Sequence, residues 1–120
     1  MRAIQDSVSL PLGSDEATLG RRTVIQHSAL AGFRHHEAAR VWPALRGKDL
    51  LSLVRESDNP HDADAVAIYW KRRKLGYLPR GENFLVARLL DQERTLSARV
   101  RGLLPNAEYN RRVRVDVLLH

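Results

Sequence analysis

The feature that most constrains the fold is a period of two in the last quarter of the chain. In segments 96–103 and 113–119 small or apolar residues occupy every second position, and most residues between them are polar. Because side chains alternate between the two faces of a strand, this pattern predicts two antiparallel strands with one polar outer face. The arginines predicted to share that face are Arg99, Arg101, Arg112 and Arg114.

Shorter runs add further elements to this pair. Four more strands are predicted over residues 23–30, 50–55, 65–70 and 74–78. Helical spacing predicts two short helices, over 36–45 and 82–90, and Pro43 allows the first only about one turn beyond it. Six short strands and two short helices indicate a mainly β fold, a small antiparallel β-barrel of the OB or SH3-like class.

Charge divides the chain into two parts. Residues 1–20 hold one basic side chain against three acidic ones, a net charge of −2, which leaves +8 for residues 21–120 out of the total of +6. The first segment also carries turn residues without periodicity, so we expect a flexible acidic arm with a short strand at 7–10, followed by one domain over 21–120.

The basic domain favours a polyanionic partner. Seventeen of the 20 basic residues in the whole chain are arginines, and the planar guanidinium group of arginine contacts phosphate through two donors at once. Codon usage in a GC-rich genome would explain the same bias. A predicted hairpin tip, Lys71, Arg72 and Arg73, is either a solvated edge or part of a rim that touches phosphates without reading sequence.

Several classes of activity have no support in the sequence. There is no cysteine, no phosphate-binding glycine loop, no serine-hydrolase elbow, no apolar run of membrane length and no apolar signal-peptide core. We therefore expect a cytoplasmic, non-enzymatic protein without cofactor, metal or membrane partner. A metal-dependent phosphodiesterase at His35, His61, Asp62 and Asp64 is the weaker alternative, because the spacing of these residues matches no metal motif.

One arrangement of segments is more specific than any of these features. Ala-Gly-Phe-Arg-His-His at 31–36 follows the first strand, Asp-Asn-Pro-His-Asp at 58–62 follows the second, and Leu-Gly-Tyr-Leu-Pro at 75–79 comes next. Over residues 22–119 the chain resembles the HIRAN domain, a small β-barrel found in Rad5-like SWI2/SNF2 DNA remodellers and as free-standing bacterial proteins. The chain is similar to the free-standing bacterial type.

The resemblance implies a module that binds single-stranded DNA at a free 3′-hydroxyl end. In this comparison Asp62 accepts a hydrogen bond from the terminal hydroxyl, the arginines hold the last phosphates, and rings at 35 and 61 stack on the base. The residues that the resemblance assigns to the pocket are Arg34, His35, Asn59, His61, Asp62, Tyr77 and Arg80.

Two features of the chain leave the site open at this point. Eukaryotic members have tyrosine where His35 and His61 stand, so we expect end binding that is weaker, sensitive to pH or lost. The same loop is also explained by turns in which Asn59 and Asp62 bond their own backbone. Trp42, Trp70 and Phe84 are expected in the core rather than against bases.

The resemblance also implies a setting in DNA repair or replication-fork processing, with any helicase or nuclease activity in a separately encoded partner. The competing function is a protein-interaction module whose basic face docks an acidic partner.

Overall fold

Six strands and two short α-helices make up residues 21–120, the part of the chain that the computed structural model describes; the predicted arm at 1–20 lies outside it. The strands are β1 (Thr23–Ala29), β2 (Leu50–Arg55), β3 (Val66–Trp70), β4 (Arg73–Tyr77), β5 (Leu96–Leu103) and β6 (Val113–Leu119). The helices are α1 (Ala38–Val41) and α2 (Phe84–Asp91), and 3₁₀ turns cover Trp42–Ala44, Arg80–Glu82 and Tyr109–Arg111.

The strands form one antiparallel sheet in the order β1-β6-β5-β2-β3-β4. Its two edges approach each other where the chain leaves β1, since Ala31 and Tyr77 exchange two backbone hydrogen bonds of 2.8 and 2.9 Å. The sheet is curled but not closed into a continuous barrel. The prediction of a mainly β, OB-like fold with six strands and two short helices is confirmed.

The bridge between the edges requires a glycine in β4. A Cβ atom on Gly76 would overlap the carbonyl oxygen of Ala31 and would lie 3.0 Å from a methyl carbon of Leu30. Only a residue without a side chain lets the two backbones approach this closely. The glycine of the Leu-Gly-Tyr segment therefore has a structural reason, which is the meeting of the sheet edges.

The core lies inside the curl and is built largely from the alternating positions. Val113, Val115 and Val117 of β6 are fully buried, as the period of two predicts. Helix α2 covers the core with Val86 and Ala87. Trp42 and Trp70 pack against this core while partly exposed, in line with their predicted role.

Two side chains lie differently from the prediction. Phe84 was expected in the core but is 63% exposed, because Val86 and Ala87 form the buried face of α2 and Phe84 lies on another face, against the Arg88 guanidinium. The polar outer face predicted for segment 113–119 includes Asp116, but this residue is only 6% exposed. It does lie on the arginine face of the sheet, but Arg99 and His27 cover it.

Candidate functional site

A cleft of about 350 Å³ opens beside the Ala31–Tyr77 bridge. Its walls come from the chain after β1, from the loop between β2 and β3, and from the end of β4 with the 3₁₀ turn that follows it. The lining residues are Ala31, His36, Asn59, His61, Asp62, Ala65, Tyr77, Leu78 and Arg80. Five of the seven residues predicted for a binding pocket thus share one cleft.

The loop between β2 and β3 holds its polar side chains by bonding its own backbone. The Asn59 side-chain oxygen accepts a hydrogen bond from the His61 amide at 2.8 Å, and Asp62 Oδ1 accepts one from the Asp64 amide at 2.9 Å. These are the side-chain turns that the sequence predicts. They fix the loop, and they also set the direction of the Asp62 carboxylate at the cleft.

Asp62 is held as a carboxylate. The amide of Asp64 and the buried side chain of Asn83, whose Nδ2 donates to Asp62 Oδ2 at 2.8 Å, lower the pKa of Asp62, and the positive charge of Arg80 acts in the same direction. At neutral pH this group can therefore only accept hydrogen bonds. Each oxygen uses one acceptor site internally and retains another.

Tyr77 is anchored through its hydroxyl by two charged groups. The hydroxyl accepts a hydrogen bond from Lys74 Nζ at 2.6 Å and donates one to Glu56 Oε1 at 2.9 Å, while Glu56 Oε2 pairs with the same ammonium at 2.7 Å. Burial alone would raise the pKa of Glu56, but hydrogen bonds from Lys74, Asn59 and Tyr77 outweigh it and lower the value. The network leaves the ring of Tyr77 as the part that borders the cleft.

His36 supplies a second ring to this wall. Its imidazole meets the Tyr77 ring edge to face, with centroids 5.4 Å apart. Burial, followed by the nearby charges of Lys74 and His35, lowers the pKa of His36, so the ring is neutral at pH 7. A neutral ring in a cleft can stack on an aromatic ligand without the cost of burying a charge.

Arg34 and His35 do not line the cleft. Both are exposed in the turn after β1, and the Arg34 guanidinium lies 4.9 Å from the centre of the Tyr109 ring. Tyr109 stacks on Phe33 and also carries the Arg112 guanidinium at 4.4 Å. We call the Tyr109 ring, with the Arg34 and Arg112 guanidinium groups against it, the aromatic platform. It lies next to the segment that supplies His36.

The other predicted basic residues are spread over several places. At the hairpin tip, Lys71 lies over the Trp70 ring at 4.5 Å, Arg72 is exposed, and Arg73 pairs with Glu37 at 2.9 Å. Arg99 and Arg101 surround Asp116 on the sheet face, at 3.2 and 3.9 Å. Arg114 lines a smaller recess with His27, Glu82 and Arg111. The predicted outer face thus divides into separate surfaces.

Two solved structures share this architecture. A crystal structure of a protein from Lactobacillus plantarum superposes with a TM-score of 0.74 at 24% identity, covering 82% of this chain and 95% of the other. The crystal structure of the HIRAN domain of human HLTF gives a TM-score of 0.65 at 14% identity, covering 83% of this chain and 79% of the other. At these identities the similarity establishes the fold. None of the curated proteins compared with the chain matches it.

The family itself is decided by the sequence. The family model for the HIRAN domain matches residues 25–120, which is most of the chain. The chain belongs to the HIRAN domain family. HIRAN domains are nucleic-acid-binding modules rather than catalytic ones.

The metal alternative finds no arrangement to support it in the described residues. Within 21–120 no three side chains among His, Asp and Glu lie close enough together to hold a metal ion. Asp64, one of the four residues considered, pairs with Arg88 of α2 at 2.8 Å.

No helix within residues 21–120 has the length and apolar character needed to cross a membrane.

Several residues of the HIRAN cleft carried no signal in the sequence. His36 lies one position from the predicted His35, in the segment that follows the turn at Gly32 (φ of +80°), and it is His36 that lines the cleft. Glu56 and Lys74 reach Tyr77 from separate strands, which no local pattern shows. The sequence shows Asn83 only as a polar residue at the start of a predicted helix, and this does not indicate its hydrogen bond to Asp62.

Proposed function

We propose that this HIRAN domain binds single-stranded DNA in the cleft, at an end that carries a free 3′-hydroxyl. The observation that carries the proposal is Asp62, an ionised acceptor fixed by two internal donors at the wall of the cleft. We further propose a role in DNA repair or replication-fork processing, with helicase or nuclease activity in a separately encoded chain.

The charge of Asp62 supports selection of a hydroxyl end. A carboxylate accepts the proton of a terminal hydroxyl, whereas a terminal phosphate offers only negative charge at the same place. Because Asn83 and the Asp64 amide fix the carboxylate, it cannot turn away from an unfavourable ligand without losing hydrogen bonds. The cleft therefore discriminates by repulsion as well as by attraction.

The remaining lining residues fit the rest of a nucleotide. The volume of about 350 Å³ lies in the range of small-ligand sites, roughly 300–1,000 Å³. The rings of Tyr77, His36 and His61 provide apolar surface for a base, and Arg80 provides a donor for the adjoining phosphate. We assign His36, rather than His35, to the stacking position on the first segment.

The aromatic platform supports a path for the strand beyond the cleft. Arg34 lies between Ala31 and His36, which both line the cleft, and reaches the exposed Tyr109 ring. Guanidinium groups held against an aromatic ring keep N–H donors for phosphate oxygens. We therefore place the phosphate of the nucleotide that precedes the terminal one against Arg34 and Arg112, which lie on the Tyr109 ring.

The decisive experiment compares two ends of the same strand. Fluorescence anisotropy with a 5′-labelled oligonucleotide ending in a 3′-hydroxyl or a 3′-phosphate should show at least tenfold tighter binding to the hydroxyl form, since one hydrogen bond to a charged group is worth about 1.5–3 kcal/mol. Asp62→Ala should remove the difference. Asp58→Ala, at an exposed position of the same loop, is the matched control and should preserve it.

Two other results of this experiment would contradict the proposed function. Equal, salt-sensitive binding to both ends would contradict end recognition and leave a basic surface that attracts any strand. An absence of binding to either strand at low salt would overturn the DNA proposal and favour an acidic protein partner.

A further inference from the structure

We propose that a second recess, between β2, β5 and β6, binds the phosphodiester backbone of DNA separately from the cleft. This sheet basin has a volume of about 520 Å³, and it depends on the proposed function only for the class of ligand. Its lining residues are Arg22, Lys48, Leu50, Arg99, Val100, Arg101 and Asp116.

The charges of the basin favour a polyanion. Four cationic side chains and one carboxylate line it, a net charge of +3 in one recess. Three of the four cations are arginines, which bind phosphate oxygens through paired N–H donors. The exposed side chain of Leu50 adds apolar surface that a sugar can cover. Repeated phosphates on a flexible backbone match this combination.

The single carboxylate orients Arg99 and leaves the basin with a net positive charge. Asp116, whose side chain is 8% exposed, accepts hydrogen bonds from Arg99 Nε at 3.2 Å and His27 Nδ1 at 2.7 Å, and Arg101 Nη1 lies at 3.9 Å. Arg99 is thus held through Nε, and its two terminal nitrogens are not needed for that bond. Guanidinium groups oriented in advance lose less entropy when they bind phosphate.

Lys48 is held in the basin by an unfavourable backbone conformation. Its φ is +73°, a region that glycine adopts more readily than lysine. Its amide donates to the Val100 carbonyl at 2.7 Å, and the Val100 amide donates to Asp49 at 2.8 Å, which locks the turn onto β5. The locked turn fixes the position of Lys48 beside β5, at the edge of the basin.

The basin and the cleft lie at opposite ends of β2. The strand starts at Leu50 in the basin and ends at Arg55, whose guanidinium bonds the carbonyl of the cleft residue Ala65. Its six residues span roughly 17–20 Å. The two sites are about five nucleotides apart for a strand stacked at the B-form rise of about 3.4 Å, and about three for a single strand extended to roughly twice that rise. A trinucleotide with its last nucleotide in the cleft has two others and cannot reach the basin, whereas a 12-mer can.

The test uses this difference in reach. The double variant Lys48→Gly/Arg101→Gln removes two basin charges and relieves the strained turn, so its urea midpoint should equal or exceed that of the wild type. Arg40→Gln/Arg94→Gln removes the same charge at exposed positions elsewhere. Binding is measured by anisotropy with a labelled 3′-hydroxyl trinucleotide and a labelled 12-mer, each over a range of salt concentrations.

We expect the basin variant to bind the 12-mer about tenfold more weakly and the trinucleotide with unchanged affinity. The slope of log K against log salt for the 12-mer should fall by about 1.4, because each phosphate contact on a single strand contributes about 0.7. The control variant should change both quantities much less. The same loss should appear with a 12-mer that ends in a 3′-phosphate, since the basin does not contact the end.

Three results would overturn the proposal. The first is unchanged 12-mer affinity in the basin variant, and the second is an equal loss for the trinucleotide, which would mean one shared site. The third is competition by polyglutamate as effective as that by unlabelled DNA of equal charge, which would assign the basin to an acidic protein. Failure of the cleft gives a different result: Asp62→Ala without effect, together with a weakened 12-mer in the basin variant, would remove end recognition and retain the basin.

Discussion

The cleft and the sheet basin both contain ionised side chains, but they arrange their charges in opposite ways. Asp62 in the wall of the cleft, and the Glu56–Lys74 pair that anchors Tyr77, are bonded by donors and acceptors of the protein itself. In the basin one carboxylate, Asp116, lies below several cations. The cleft therefore presents a fixed pattern of acceptors and rings, whereas the basin presents an excess of positive charge.

This difference in the arrangement of charges determines which property of a ligand each region can recognise. A fixed acceptor distinguishes one chemical end from another, because the wrong group leaves it unpaired or repelled. An excess of positive charge raises affinity for any phosphate chain and weakens as salt is added. We expect specificity to depend on the cleft and overall affinity to depend on the basin, and the following experiments test how separate the two are.

The largest effect is expected from Gly76→Ala, which should damage the cleft and spare the basin. The added methyl group overlaps the Ala31 carbonyl and breaks the two-bond bridge, so we expect a loss of about 3 kcal/mol in the free energy of unfolding. Urea denaturation measures it. Gly81→Ala, where a Cβ meets no atom within 4 Å, is the control, and equal midpoints for the two variants would contradict this account.

Tyr77→Phe should have a smaller effect confined to the cleft. The variant keeps the ring but removes the hydroxyl that bonds Lys74 and Glu56, which should cost about 1–2 kcal/mol because hydrogen bonds to charged groups are the stronger ones. Thermal unfolding measures the loss, with Tyr69→Phe on β3 as a control. Unchanged 12-mer binding at low salt would confirm that the basin acts separately, and a large loss there would contradict it.

Acid should weaken both regions through different carboxylates. The pKa values of Glu56 and Asp116 are lowered from 4.5 and 3.8 in the folded protein, in Asp116 because the hydrogen bonds from His27 and Arg99 outweigh burial. A lowered pKa stabilises the fold above the ordinary value, and the contribution disappears as the pH falls through the folded value.

This acid effect can be assigned by comparing melting temperatures between pH 7 and pH 3. Glu56→Gln and Asp116→Asn should each melt below the wild type at pH 7, and the difference should shrink as the pH falls toward 3, since the wild-type carboxylate loses its stabilising effect as the pH falls through its lowered pKa. The difference is expected to be modest, because an amide retains part of the hydrogen bonding. Melting curves that stay parallel at every pH would show that neither carboxylate contributes in this way.

The smallest effect is expected at the hairpin tip. Arg72 is exposed in the turn between β3 and β4 and belongs to neither the cleft nor the basin. Arg72→Gln should change 12-mer affinity less than twofold at moderate salt, since isolated surface charges are largely screened there. A loss as large as that of the basin variant would extend the binding surface to the tip and erase the distinction drawn between the two regions.

Much of the fold was predictable because the sheet depends on local pattern. Strands β2, β5 and β6 have the predicted bounds, since alternation over six to eight residues specifies both strand and inner face. Phe84 shows the limit of the method, because a short amphipathic helix can present a large apolar residue to solvent when smaller ones fill the core.

The cleft was predictable only in part. The resemblance assigned Asn59, His61 and Asp62 to one pocket. They lie in one short loop, and its side-chain turns are the ones predicted from the sequence. From the first segment the cleft is lined by His36 and not by the predicted His35, and this wall is completed by the bridge between the sheet edges. Such contacts join residues more than forty positions apart, which local pattern does not report.

The bridge between Ala31 and Tyr77 has a kinetic consequence. It joins the chain after the first strand to the end of the fourth, so the cleft exists only after this long loop has closed. We expect a DNA end bound there to hold both sheet edges at once and to stabilise the folded state by an amount that grows with the logarithm of its affinity. Occupancy of the cleft should therefore appear as slower hydrogen exchange at the amides of Ala31 and Tyr77, the two protons that report sheet closure.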